Sequence, residues 1–191
     1  MASPTDNPPA AIDPAARRRD WLYCAVIAAA VLASYLPAAG APFVFDSRSL
    51  ETSASKQVVQ PLWRAVTRGE RGFVDWTFAW NYRLGGLEPR SYRLTNIAIH
   101  IANALLLMAI ARGVLTSQPA SDRLAAAAPH LAFAIALLWA VHPLATQGVT
   151  YVIQRYELVM STCLLLTLLC VQQGLKSRLA PCWYAAAILC C

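Results

Sequence analysis

Arg155 and Glu157 are ionisable residues, two positions apart, that stand at the edge of a long apolar stretch. They end a polar segment, residues 142–157, which begins at His142 and which we call the elbow. Ionisable groups placed where membrane spans meet usually mark a functional site. The pattern therefore predicts a site at the elbow and in an earlier loop that faces it.

Asp46 is the candidate in that earlier loop, a few residues after the first apolar stretch and directly after Phe45. A carboxylate at the membrane surface can act as a general base if an acceptor hydroxyl reaches it. Alternatively, Asp46 pairs with Arg48 or caps a helix, which contributes less than about 1 kcal/mol. Taken alone, the residue favours the second interpretation.

Asn96, His100 and Asn103 form a polar stripe at spacings of four and three residues, so they share one face of a helix. Facing lipid would be costly, so the stripe must point into the protein. One interpretation is interhelical hydrogen bonding, worth about 0.6 kcal/mol for each bond in membrane proteins. The other is that the stripe lines a cavity for a polar head group.

The elements that position these residues are membrane spans. The chain has 191 residues, of which 58% are hydrophobic and 14% charged, whereas a soluble domain has about 25% charged residues. The net charge of +6 comes mainly from residues that flank apolar stretches, so it indicates topology and not nucleic-acid binding. Four apolar stretches approach the roughly 20 residues that span a bilayer: 21–39, 94–115, 124–141 and 158–175. A fifth apolar stretch begins near Pro181.

The triplet Arg17–Arg19 before the first span predicts a cytoplasmic N-terminus by the positive-inside rule. A cleaved signal peptide ending near residues 38–41 is the rival interpretation of that span. With alternating spans, the loop 40–93 and the elbow both lie outside. We expect residues 1–19 to be a disordered cytoplasmic tail and residues 20–191 to be a membrane domain in the inner (plasma) membrane of a bacterium.

The loop 40–93 is rich in aromatic residues, so we expect it to fold on the membrane surface. Residues 61–68 and 76–82 place aromatic beside polar side chains, as interfacial helices do. Gly85 and Gly86, followed by Pro89, predict a tight turn before the second span.

These segments together resemble the membrane region of the protein O-mannosyltransferase-like proteins that carry C-terminal tetratricopeptide repeats. Those proteins are polytopic glycosyltransferases of the GT-C fold, and the resemblance covers about residues 20–175. It is carried by the following residues: Phe45, Asp46, Asn81, Tyr82, Gly85, Gly86, Pro89, Tyr92, Leu94, Asn96, His100, Asn103, His142, Pro143, Leu144, Val149, Thr150, Tyr151, Gln154, Arg155 and Glu157.

The resemblance implies an all-α polytopic membrane helical bundle, the N-terminal portion of a GT-C fold. It implies transfer of a sugar, mannose in this family, from a membrane-bound polyprenyl phosphate to a hydroxyl of an acceptor protein on the outer face. By this resemblance Asp46 matches the catalytic base and Arg155 is our choice for the donor phosphate. Glu157 orients the acceptor or holds a divalent cation with Asp46, and His142 closes the site or bonds at a helix end.

Two departures from the family pattern leave the enzymatic interpretation open. Ser47 follows Asp46 where the family usually has a second acidic residue, and Arg93 stands where it usually has histidine. A divalent cation is therefore doubtful, and the sequence has no zinc-type cluster of cysteine and histidine. The alternative is a non-catalytic membrane scaffold or a gene fragment, and a small transporter ranks last.

Overall fold

The structure is a computed structural model that describes residues 13–67, 71–117, 122–177 and 179–190. These residues form helices and turns without a β-strand, so the chain is an all-α bundle, as predicted. The helices are α1 (Pro14–Tyr35), α2 (Ser49–Thr52), α3 (Leu62–Thr67), α4 (Gly72–Gly85), α5 (Pro89–Ser117), α6 (Asp122–Ala140), α7 (Ala145–Thr150), α8 (Arg155–Gly174) and α9 (Ala180–Cys190). Four 3-10 turns join them: Leu36–Ala38, Phe45–Arg48, Ala54–Lys56 and Val152–Gln154.

Within the described ranges, four helical segments are long and apolar enough to cross a membrane. They confirm the four predicted spans. α9 is a shorter apolar helix that packs on α8. The four segments are Pro14–Ala38, Pro89–Ser117, Arg123–Ala140 and Val152–Gly174.

The first helix begins earlier than predicted, at Pro14 and not near Trp21. The Asp13 carboxylate accepts a hydrogen bond from the Ala15 N–H at 3.0 Å, and Pro14 occupies the first helical position. Both features favour a helix start. Residues 14–19 of the predicted disordered tail are therefore helical, whereas residues 1–12 lie outside the described ranges.

Close packing of α5 on α6 depends on small side chains. Ala128, Ala132, Ala136 and Ala140 recur every fourth residue of α6 and are completely buried. Such a stripe lets two helix backbones approach closely in a membrane, where packing replaces the hydrophobic effect as the driving force. Ala136 and Ala140 belong to a core that also contains Ile27 of α1 and Leu158 of α8.

The loop after the first span folds into short helices and ends at Glu88, because α5 begins at Pro89. The last five residues of the predicted loop 40–93 are thus helical. The predicted interfacial helices correspond to α3 and α4, and the exposed Trp63 and Trp80 lie on them. The predicted turn is present at Gly86, whose φ of 59° suits glycine. A second apolar core, which includes Leu50, Phe78 and Val152, joins this loop to the elbow.

Candidate functional site

Asp46 is held against the elbow by its backbone. Its N–H donates to the Tyr151 hydroxyl at 3.0 Å, while its carboxylate is exposed. The neighbouring Ser47 is buried, and its Oγ accepts from the Ile153 N–H at 3.4 Å. The structure therefore brings the loop that carries Asp46 into contact with the elbow, and it leaves the carboxylate free of the docking contacts.

Arg155, the first residue of α8, is completely buried. Its side chain joins α8 to α4 and α5 through four hydrogen bonds. Nε donates to Asn96 Oδ1 at 2.8 Å, Nη1 to Asn81 Oδ1 at 2.6 Å and to Thr77 Oγ1 at 3.3 Å, and Nη2 to the Tyr92 carbonyl at 2.9 Å.

The planar face of Arg155 is covered as well, because its guanidinium carbon lies 4.3 Å from the centroid of the Phe78 ring. A cation over an aromatic face is stabilised by the ring quadrupole. A phosphate would reach this guanidinium only after several of these contacts broke. In this conformation Arg155 is a structural link, and it does not lie in the open site that the sequence predicted.

Arg93, the residue that stands where the family usually has histidine, is a second buried arginine. It ties α5 to the end of the first span and to α7. Nε donates to the Thr150 carbonyl at 2.9 Å, Nη2 to the Pro42 carbonyl at 2.9 Å, and Nη1 to the carbonyls of Ala39 and Ala41. The carbonyls that bind it come from distant parts of the chain, so its partners could not be read from the sequence.

Neither buried arginine pairs with a carboxylate in the described part of the chain. The ion pairs found there involve Asp20, which contacts Arg19 and Arg112. The oxygen atoms that accept from these guanidinium groups belong to amides, carbonyls and a hydroxyl, and they carry no compensating negative charge. The elbow therefore contains one buried arginine without a paired carboxylate, Arg155, and contacts a second, Arg93.

The polar stripe of α5 makes interhelical hydrogen bonds, in agreement with the first of its two interpretations. Asn96 Nδ2 donates to carbonyls of the elbow, and Asn103 Nδ2 donates to the Leu158 carbonyl at 3.0 Å. His100 Nε2 lies 2.9 Å from the Ala140 carbonyl. All three residues are buried, and their amide and ring atoms contact neighbouring helices, which does not match the predicted cavity lining.

His142 and Glu157 are exposed and do not contact Asp46. The Nδ1 atom of His142 accepts from the Leu144 N–H at 3.2 Å, so it caps the turn before α7. This agrees with the helix-end interpretation of His142. No ion pair or hydrogen bond links Glu157 with Asp46 among the residues that the structure describes.

A polar cluster on the loop was not predicted from the sequence. The Asp75 carboxylate accepts from the hydroxyl of Tyr156 and, at 3.0 Å, from that of Ser55. Lys56 lies nearby, and its Nζ donates to Ser49 Oγ at 2.8 Å. Burial lowers the pKa of Lys56, while the negative charges of Asp75 and Asp46 oppose that shift. Asp75 was missed because a single acidic residue in the first turn of a helix reads as a dipole contact.

A cavity of about 400 Å³ opens on the face that carries Asp46. It contains none of the predicted site residues, but Tyr151, which holds Asp46, and the buried Arg93 both line it. The remaining lining is largely apolar, so the cavity combines one cation with an apolar wall. Its lining residues are Ala38, Ala41, Pro42, Val44, Arg93, Gln147, Thr150 and Tyr151.

No group of three or more metal-ligating side chains occurs in the ranges that the structure covers. Because Asp46 and Glu157 also lack a mutual contact, the arrangement does not favour the divalent cation that these two carboxylates were predicted to share.

Comparison with known proteins identifies relatives of one kind. The chain is 40% identical over 98 residues to protein O-mannosyl-transferase Tmtc3 of Drosophila melanogaster, covering 47% of this chain and 11% of that protein. It is 27% identical over 162 residues to protein O-mannosyl-transferase TMTC2 of Mus musculus, covering 77% of this chain and 18% of that protein. It is 29% identical over 126 residues to the mouse TMTC3 protein, covering 62% and 12% respectively.

The chain thus spans less than a fifth of the length of these relatives. No family model matches it, and no solved structure does. Because these three relatives belong to a fly and a mouse, they give no support to the expectation of a bacterial membrane.

Proposed function

Because the chain is homologous to protein O-mannosyl-transferases over part of their length, we propose that it forms part of a membrane glycosyltransferase of the GT-C type. The reaction would move a sugar, mannose by analogy with the relatives' names, from a polyprenyl-phosphate donor to a hydroxyl of an acceptor protein. The site would lie on the outer face of the membrane, with the N-terminus in the cytoplasm, as the positive-inside rule predicts.

The docking of Asp46 on the elbow is the observation that carries this proposal. Tyr151 connects the loop with the cavity, because its hydroxyl accepts from the backbone N–H of Asp46 and its side chain lines the cavity that contains the buried Arg93. The apolar wall of the cavity suits a prenyl chain, and its cation suits a phosphate. An exposed carboxylate beside it suits an incoming protein hydroxyl.

In the proposed reaction, the acceptor hydroxyl gives its proton to the Asp46 carboxylate as its oxygen attacks the anomeric carbon of the sugar. The new bond joins that carbon to the acceptor oxygen. The bond between the anomeric carbon and the phosphate oxygen breaks, and its electron pair leaves with the polyprenyl phosphate. General base catalysis of this kind contributes about 10²- to 10⁴-fold to a rate.

We assign the charge that faces the leaving phosphate to Arg93, in place of Arg155. Arg93 lines the cavity, whereas Arg155 is enclosed by α4, α5 and Phe78. One N–H of the Arg93 Nη2 atom has no acceptor among the described residues, which leaves it available to a phosphate oxygen. Glu157, which is exposed near the start of α8, remains our candidate for orienting the acceptor.

A non-catalytic membrane scaffold is the second candidate. The internal hydrogen bonds of Arg155, Asn96 and Asn103 favour it, because these groups already perform a structural task. A scaffold needs neither the exposed carboxylate of Asp46 nor the cavity beside it, so substitution of Asp46 separates the two candidates.

The test is a transfer assay of membranes that contain the full-length gene product, supplied with polyprenyl-phosphate mannose and an acceptor protein. Asp46→Asn should lower transfer by about 10²-fold or more. It should leave thermal unfolding unchanged, because the bond that docks this loop uses the backbone N–H of Asp46. Glu51→Gln, at an exposed carboxylate on α2, is the matched control and should keep full activity. Transfer by the Asp46→Asn protein at the wild-type rate would refute the assignment.

A further inference from the structure

A second cavity, of about 390 Å³, lies at the opposite end of the bundle. It opens between α1, α5, α6 and α8, close to Asp20, whereas the cavity beside Asp46 lies after the other end of α1. At 1.5 Å for each residue, the two ends of α1 are about 30 Å apart. The lining residues are Asp20, Tyr23, Met108, Ala109, Arg112, Gly113, Thr116, Pro129, Leu169, Gln172 and Gln173.

Arg112 is the cation in this cavity, and most of its hydrogen-bonding capacity is unused. Its Nη1 donates to Asp20 Oδ2 at 2.6 Å, and its side chain is 42% exposed. A guanidinium has five N–H groups, so a single bond to Asp20 leaves donors that can bind an anion.

Lys176 follows the end of α8. Its Nζ donates to the carbonyl of Gly113 at 3.0 Å, and Gly113, which is next to Arg112 in the sequence, lines the cavity. Gln172 also donates across this interface, to the Ile110 carbonyl at 3.1 Å. The ammonium retains two further N–H donors.

Positive charge predominates at this end of the bundle, and one of its N–H groups lacks a hydrogen-bond acceptor among the described residues. The Nε of Arg19 is buried and has no hydrogen-bond acceptor among the described residues. Among the described side chains at this end, the cations are Arg17, Arg18, Arg19, Arg112, Arg123 and Lys176, and the anions are Asp13 and Asp20.

We propose that this cavity binds an anionic phospholipid, with the headgroup phosphate on Arg112 and Lys176. Its acyl chain would lie along the apolar part of the lining, on Met108, Pro129 and Leu169. The ends of spanning helices lie at headgroup depth, and basic pockets between them bind anionic head groups. The depth and the apolar wall favour a lipid over a soluble anion. The proposal does not depend on the glycosyltransferase function.

The test measures lipid binding by the full chain in detergent micelles, with native mass spectrometry for occupancy and thermal unfolding for stabilisation. Phosphatidylglycerol should bind more tightly than phosphatidylcholine. The Arg112→Gln and Lys176→Gln substitutions should each weaken phosphatidylglycerol binding about fivefold, since one basic residue near an anionic surface is worth about that much. Arg83→Gln and Arg90→Gln, at exposed sites near the opposite end, are the matched controls and should change nothing.

The Asp20→Asn variant tests the proposal independently. If the Asp20–Arg112 ion pair had only a structural role, removing it would not strengthen lipid binding. Removing the carboxylate frees the Arg112 guanidinium, so this variant should bind phosphatidylglycerol more tightly than the wild type. Equal binding of both lipids by the wild type would overturn the proposal, as would unchanged binding by Lys176→Gln. Equal stabilisation by soluble glycerol phosphate would show that the site takes a free anion and not a lipid.

Discussion

Arg155 holds α8 to two other helices from a completely buried position. Its four hydrogen-bond acceptors come from α4 and α5, and two of them, Thr77 and Asn81, lie more than 70 positions away in the sequence. Spacing along the chain carries no information about such partners, so the burial of Arg155 could not be predicted.

Arg155→Lys should lower the free energy of unfolding by about 2–4 kcal/mol, because an ammonium lacks the planar fork and leaves buried acceptors unpaired. Thermal unfolding in detergent micelles measures the loss. Arg83→Lys, at an exposed position of α4, should have little effect. Equal shifts for the two variants would contradict the structural role of Arg155.

The hydrogen bond between Tyr156 and Asp75 should contribute measurably to stability. A double-mutant cycle with Tyr156→Phe and Asp75→Asn should give a coupling free energy of about 1–2 kcal/mol, since one partner is a carboxylate. The cycle of Ser55→Ala with Asp75→Asn should give a smaller value, because Ser55 is exposed. Additive effects of Tyr156→Phe and Asp75→Asn would show that the hydrogen bond between the two side chains does not contribute to stability.

The membrane spans could be predicted from the sequence, but the residues at which their helices begin could not. Lengths of apolar sequence near 20 residues identify spans without knowledge of the fold. The start of α1 instead depends on the Asp13 carboxylate, and the start of α5 on Pro89, both outside the apolar stretches. The stripe of α5 was correctly predicted to face the protein. Which of its two roles applies depends on the carbonyls of neighbouring helices, which only the structure supplies.

The alanine stripe of α6 predicts that helix packing tolerates no larger side chain. Ala136→Leu should destabilise the bundle by about 1–3 kcal/mol, because overpacking forces α5 and α6 apart. Ala134→Leu, two residues away on an exposed face of α6, is the control and should be nearly neutral. Thermal unfolding of both variants decides the matter, and a neutral Ala136→Leu would argue against close contact of the two helices.

The turn before α5 requires a backbone conformation at Gly86 that favours glycine. Gly86→Ala should cost about 1–2 kcal/mol, because a Cβ is strained at a φ of 59°. Gly40→Ala is the control, since a Cβ there meets no atom within 4 Å. If both variants unfold at the wild-type temperature, the turn does not hold the conformation described.

The two cavities lie at opposite ends of the molecule and differ in the charged side chains around them. One end carries the exposed Asp46 beside the buried Arg93, and the other carries the basic cavity around Arg112. The positive-inside rule predicts that the second end faces the cytoplasm. In a variant without native cysteines, Ala54→Cys should then react with a membrane-impermeant maleimide in intact cells or sealed right-side-out vesicles. Ser117→Cys should react only after permeabilisation, because α5 crosses the membrane between the two positions. The reverse pattern would place Asp46 inside and would remove the outer-face reaction, while leaving the lipid site intact.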